Sequence, residues 1–76
     1  MATIEETLEF ILHSIVPAES VNLTVEKNDV FTQFTITAQP EIVGQIIGKD
    51  GRIIKSIKTL LGLSYPNEKF SLDIKS

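Results

Sequence analysis

The chain contains no cysteine. That excludes a disulfide staple and a thiolate metal site, and it fits a cytosolic protein. Histidine occurs once, at His13, far in sequence from the glycine-rich stretch described below, and it reads as an exposed surface residue. No Ser/His/Asp set, metal-ligand cluster or apolar-embedded carboxylate pair can be assembled, so catalysis has little support. No cofactor and no small-molecule substrate are expected. No apolar run approaches the length of a membrane span. The segment Met1-Ala2-Thr3-Ile4-Glu5-Glu6 lacks the basic and apolar regions of a signal peptide. The expectation is a cytoplasmic protein without a membrane partner, and the glycosylation-like match Asn22-Leu23-Thr24 carries no weight.

Positive charge is also in deficit. Seven Lys and Arg face ten Asp and Glu, a net charge of −3, which taken alone argues against a polyanionic partner. The distribution matters more. Residues 1–41 carry seven acids and one base, whereas residues 42–76 carry six bases and three acids. Lys49, Arg52, Lys55 and Lys58 form one local basic stripe on an otherwise acidic chain, a pattern suited to focused binding rather than general polyanion affinity.

What is present is an ordinary globular composition, 42% hydrophobic and 22% charged, in 76 residues. That length makes residues 1–76 one small domain with no room for a second core. No internal repeat or low-complexity segment occurs. Thr3, followed three residues later by Glu6, reads as a capping box opening a helix. Ile4, Leu8, Ile11, Leu12 and Ile15 form its apolar face, and Pro17 ends it near Val16. Phe10 falls on the opposite side, either as a partly exposed aromatic or as a contact with another chain.

Val21, Leu23 and Val25 alternate with polar residues and predict a half-buried strand. Asn28-Asp29 supplies a turn, and Phe31 to Thr37 reads as a second strand with Phe34, Ile36 and Ala38 facing inward. The two form an antiparallel hairpin. Pro40 and Glu41 open a short helix that runs to Ile47. Gly44 within it costs roughly 1 kcal/mol relative to Ala and points to close helix packing. A further helix runs from Arg52 to Leu61, with Ile53, Ile54, Ile57, Leu60 and Leu61 as its apolar face and Gly62 as its C-cap. Ser64 to Glu68 is a loop, and Phe70, Leu72 and Ile74 mark the last strand. The order α-β-β-α-α-β predicts an α+β, two-layer sandwich. Its three-stranded mixed sheet carries three helices on one face, and its last strand is reached by a right-handed parallel crossover.

The most informative stretch is Ile46-Ile47-Gly48-Lys49-Asp50-Gly51-Arg52-Ile53-Ile54-Lys55. Two close glycines permit φ > 0 and allow another molecule to approach the backbone. The helix that follows offers free N–H groups and the positive end of its dipole, an anion-binding arrangement. Lys49, Arg52 and Lys55 oppose that dipole by roughly 0.3–1 kcal/mol each. Such placement points to a bound anion, read here as a nucleic-acid backbone, against the plainer reading of a solvated polar face. Asp50 offsets part of the charge and is placed as a helix cap. The spacing of Gly44, Gly48 and Gly51 excludes a Walker A loop and the dinucleotide fingerprint. Two helices meeting at a glycine turn also suggest a DNA-reading helix-turn-helix, but Arg52, Lys55, Ser56 and Lys58 are poor in base-reading chemistry.

Ile47-Gly48-Lys49-Asp50-Gly51-Arg52-Ile53-Ile54 resembles the signature of the KH domain, whose GXXG loop clamps about four backbone nucleotides of RNA. The element order resembles the type II form of that fold, and a free-standing domain of this size resembles the small bacterial KhpA family. The resemblance implies that Gly48, Lys49, Asp50 and Gly51 lie against phosphates, with Arg52 and Lys55 flanking them. It implies an apolar groove for bases beside the loop, with Ile47 and Ile54 as candidate walls. That groove would be aliphatic, since no aromatic lies between Phe34 and Tyr65, unlike the stacking platforms of other RNA-binding modules. The family further implies an RNA chaperone, present as a homodimer or paired with a larger KH protein, KhpB, and acting on cell elongation and envelope growth. A protein-interaction module with the same fold and marginal RNA affinity is the alternative, motivated by Phe10, Phe31 and the acidic half of the chain.

Overall fold

The computed structural model describes residues 3–76. Met1 and Ala2, part of the segment read above as lacking a signal-peptide pattern, lie outside the described residues. Helix α1 spans Ile4–Ile15 and opens on the expected capping box. Thr3 Oγ1 accepts from the Glu6 amide at 3.1 Å, and Glu6 Oε1 accepts from the Thr3 amide at 3.2 Å. Two otherwise orphaned donors are thereby satisfied. Ile4, Leu8 and Leu12 are buried, with Ile11 and Ile15 half-buried beside them. Val16, just past the helix, is also buried. Phe10 is 74% exposed, and His13 is exposed as expected.

The sheet consists of β1 (Val21–Lys27), β2 (Thr32–Ala38) and β3 (Phe70–Lys75) in the order β1-β2-β3. β1 and β2 are antiparallel, and β3 runs parallel to β2. Leu23 lies opposite Ile36 and Val25 opposite Phe34, while Phe34 and Ile36 register with Leu72 and Ile74. Period-two alternation therefore places these residues on the helix-covered face, with Thr24, Thr35 and Asp73 on the other. Phe34 and Phe70 meet edge to face with ring centroids 6.4 Å apart. β2 starts one residue later than expected because the hairpin turn consumes Phe31. Asn28 Oδ1 accepts from the Val30 and Phe31 amides at 2.7 and 2.8 Å, and the Asn28 amide donates to the Phe31 carbonyl.

Between β2 and β3 the chain forms α2 (Pro40–Ile47) and α3 (Arg52–Ser64). Ile46 of α2, Ile57 and Leu61 of α3, Leu8 and Leu12 of α1, and Phe34, Ile36 and Leu72 of the sheet belong to one buried cluster. One shared core places all three helices on the same face of the sheet, a two-layer α+β sandwich. Burial of each such large apolar side chain contributes roughly 1.5–3 kcal/mol.

Three expectations fail here. Gly44 does not mark close helix packing: it is exposed, and an added Cβ would meet nothing within 4 Å. Gly62 does not cap α3, which passes through it to Ser64, with Tyr65 as the C-cap donating its amide to the Leu61 carbonyl. The helix continues because Tyr65 anchors it to the start of α1. The Tyr65 hydroxyl donates to the Thr3 carbonyl at 3.0 Å and lies 2.5 Å from Thr7 Oγ1. With its one proton on Thr3, it accepts from Thr7. Finally, the five-residue apolar face of α3 is split. Ile57 and Leu61 are buried and Ile54 half-buried, but Ile53 is 37% and Leu60 53% exposed.

Candidate nucleic-acid interface

The four residues between α2 and α3 form a tight turn held by two kinds of constraint. The first is backbone conformation. Gly48 lies at φ 76°, ψ 178°, Asp50 at φ 57°, ψ 24°, and Gly51 at φ 73°, ψ 17°. The second is a close approach. A Cβ on Gly48 would lie 2.6 Å from Ile53 Cγ1 and 2.9 Å from both its Cβ and Cδ1, whereas one on Gly51 would meet nothing within 4 Å. Glycine is thus required at position 48 by conformation and by space, and only favoured at position 51, by its left-handed conformation. Ile53, assigned from the sequence to the core face, covers the turn instead.

Part of the expected amide array is spent internally. The Gly48 amide donates to the Gly44 carbonyl at 2.9 Å and the Gly51 amide to the Gly48 carbonyl at 3.2 Å. The Arg52 amide closes the turn on the Lys49 carbonyl. The amides of Lys49 and Asp50 stand outside these bonds. Asp50 does not cap α3: Gly51 occupies the N-cap position, and no side-chain capping bond forms.

Lys49, Asp50, Arg52, Lys55 and Lys58 are all exposed. Among the described residues none of them enters an ion pair; the pair formed is Lys27–Glu5 at 3.9 Å, between exposed side chains elsewhere. The first turn of α3 contains no acid. Its cations therefore sit at the positive end of a helix dipole without a compensating partner. Ser56 and Thr59 donate back to the Arg52 and Lys55 carbonyls at 2.9 Å each, so these hydroxyl protons are already engaged.

The structure separates the two candidate groove residues. Ile54 is half-buried and packs against the core, whereas Ile47 is half-buried outside it. Val43, one helical turn before Ile47 and not singled out from the sequence, has the same character. Ile42 and Ile46 face the core, so Val43 and Ile47 form a second stripe on α2 that ends at the turn. A sequence signal for it existed. Two adjacent apolar pairs at i, i+4 in one short helix subtend more than a single core-facing stripe. A depression of about 470 Å³ lined by Lys55, Ser56, Thr59 and Leu60 lies along α3. Another of about 360 Å³, lined by residues including Glu19, Asn22, Thr37 and Gln39, involves none of the turn residues.

The element order, the mixed sheet with its parallel third strand, and a GXXG turn joining the second and third helices define a KH-type domain in the type II arrangement. The family model "KhpA/KhpB, KH domain" matches residues 5–75, and the chain belongs to that family. It is 46% identical over 59 residues to the RNA-binding protein KhpA of Thermotoga maritima, covering 75% of this chain and 77% of that one. It is 38% identical over 72 residues to the RNA-binding protein KhpA of Borreliella burgdorferi, covering 91% and 88%. The same-named protein of Oceanobacillus iheyensis is 40% identical over 72 residues, covering 88% and 93%. No solved structure matches this chain. Among the described residues no helix is long and apolar enough to cross a membrane.

Proposed function

We propose that this chain, acting as one KH unit in the cytoplasm, binds single-stranded RNA with little sequence preference and performs no chemistry on it. The observation that carries the proposal is a set of exposed cations without an ion pair among the described residues: Lys49 on the turn shaped by the positive-φ Gly48 and Gly51, and Arg52 and Lys55 on the first turn of α3. In this reading Gly48-Lys49-Asp50-Gly51 lies along the sugar-phosphate track. Bases lie over the aliphatic stripe of Val43 and Ile47, with Ile54 at its margin. The relatives named as RNA-binding proteins support the ligand class. Neutralising about two to four phosphates gives a shallow salt dependence, a log–log slope of roughly −1.4 to −2.8.

A pairing surface accompanies this function. Ile53, Ser56, Leu60 and Leu63 follow one another at i, i+3, i+7 and i+10 on α3, and Leu60 and Leu63 are 53% and 75% exposed. This is the seam spacing of paired helices. It supports a homodimer or a heterodimer with a larger KhpB-like KH protein, in which effective concentration raises RNA affinity. The wider role proposed from the family resemblance is RNA chaperoning linked to cell elongation and envelope growth. The second reading, a KH-fold protein-interaction module with marginal RNA affinity, draws on the exposed Phe10.

The deciding experiment is Lys49→Asp, with RNA binding and thermal unfolding measured on the same preparation. Lys49 is exposed and has no side-chain partner among the described residues, so the fold stays intact and RNA binding falls at least tenfold. Unchanged binding by a folded variant would remove the loop from the RNA site and leave the interaction-module reading.

A further inference from the structure

Asp50 is a residue the proposed function does not explain. It is the only non-glycine with positive φ among the described residues, and it sits in a turn assigned to a polyanion. Two properties of the residue can be separated: the backbone conformation it adopts and the carboxylate it carries.

The conformation has a clear role. A left-handed residue at position 50 joins Gly48 to Gly51 and lets the Arg52 amide close on the Lys49 carbonyl. Such a position favours Gly, Asn or Asp, whose short side chains tolerate it, and disfavours most others. The carboxylate has no such role. It does not cap α3, and among the described residues it makes no hydrogen bond or ion pair, although Lys49 and Arg52 are close in sequence. The hairpin turn provides the contrast. There Asn28 uses its side-chain oxygen to accept two backbone amides at 2.7 and 2.8 Å. Asp50 makes no equivalent bond. Of the three residue types suited to the position, the chain carries the one with a negative charge.

We infer that Asp50 is an affinity-limiting residue: its left-handed backbone shapes the loop, while its carboxylate repels the RNA backbone and keeps binding weak and exchangeable. This rests on the proposed RNA-binding reading and extends it. One carboxylate held between Lys49 and Arg52 cancels part of the local positive potential at the place where phosphates approach. A sequence-tolerant binder whose cations were uncompensated would be retained by any single strand.

The test uses Asp50→Asn and Asp50→Gly, both neutral and both able to hold positive φ. The probe is a labelled mixed-sequence RNA of about ten nucleotides, longer than the roughly four-nucleotide reach of a GXXG loop. A charge about 7 Å from two phosphates gives, after screening, a two- to three-fold gain in affinity near 0.15 M salt and a four- to five-fold gain near 0.02 M. Both variants show this gain, and both lose it on a methylphosphonate analogue whose backbone is uncharged. The proposal is overturned if either variant binds RNA no better or more weakly, which would give the carboxylate no role or a contact of its own. It is equally overturned if only Asn tightens binding, which would indicate a new amide contact, or if the gain persists on the uncharged backbone. Lys49→Asp is measured alongside. If it abolishes binding while the Asp50 variants are silent, the inference fails and the RNA-binding reading stands. If Lys49→Asp is silent as well, the underlying reading fails.

Discussion

Replacing Gly48 with alanine tests the account of the loop most directly. Gly48 at φ 76°, ψ 178° occupies a region essentially restricted to glycine. Holding an alanine there costs on the order of 1–3 kcal/mol. The new Cβ would also meet Ile53 at 2.6–2.9 Å, including the Ile53 Cβ itself, and overpacking of that kind costs about 1–3 kcal/mol. Taken together, a loss of about 3–4 kcal/mol is expected. A domain of this size has a total stability of roughly 4–11 kcal/mol. At about 4–8 °C per kcal/mol, the midpoint of thermal unfolding falls by roughly 12–32 °C. Gly51→Ala, strained but unclashed, costs only about 1–2 kcal/mol, and Gly51→Asn is close to neutral. The steric share is isolated by repeating Gly48→Ala in an Ile53→Ala background. That background removes Cγ1 and Cδ1 but leaves Cβ at 2.9 Å. Chemical denaturation of the four proteins should give a favourable coupling of about 1 kcal/mol, with the backbone penalty remaining. Equal costs for Gly48→Ala and Gly51→Ala, or no coupling to Ile53, would refute the argument that close approach and conformation act together at Gly48.

Two further outcomes follow from the corrected helices. Gly44→Ala and Gly62→Ala each lie inside an exposed helix position with nothing within 4 Å of the new methyl. Each should stabilise the fold by about 0.5–1 kcal/mol in urea unfolding, and destabilisation by either would contradict the open space assigned to it. Leu60→Asp places a charge in the exposed seam of α3 without touching the core. Sedimentation should shift it at least tenfold toward monomer while its unfolding midpoint at low concentration changes little, and an unchanged association constant would remove α3 as the pairing surface.

The fold was legible because its signals are local and redundant. The Thr3–Glu6 capping box, the alternation in β1 and β3, and Pro40 opening α2 all appear where the sequence places them. What was misread depends on tertiary context. Gly62 looked like a helix end because its propensity disfavours helix by about 1 kcal/mol. Yet Tyr65, docked on Thr3 and Thr7, holds α3 in register beyond it, and the true stop is the residue before Pro66. The apolar pattern of α3 over-counted the core because periodicity does not distinguish a side chain facing the sheet from one covering a neighbouring turn. Ile53 does the latter. At the candidate site, the glycines and cations were readable as residue types. The left-handed conformation at Asp50 depends on how α2 and α3 are set against the core, whereas the stripe of Val43 and Ile47 is signalled by the two apolar pairs of α2, with only Ile47 singled out from the sequence.

The positive-φ residues among the described residues are Gly48, Asp50 and Gly51, all within one four-residue turn. The cations opposing a helix dipole cluster at the same place, where α3 offers no acid in its first turn. Conformational and electrostatic costs of this kind usually persist only where the surrounding structure or a ligand offsets them. Here the surroundings offset the conformational part: α2 fixes the turn through the Gly44 carbonyl, and Ile53 packs over Gly48. They leave much of the electrostatic part in place, since among the described residues Lys49, Arg52 and Lys55 have no ion-pair partner and the unpaired Asp50 carboxylate offsets them only in part. A bound phosphate backbone would remove that remaining cost and so stabilise the folded state through linkage. Under the proposed function, the loop therefore meets RNA with its backbone conformation already set by α2 and Ile53 and with its positive charge only partly offset.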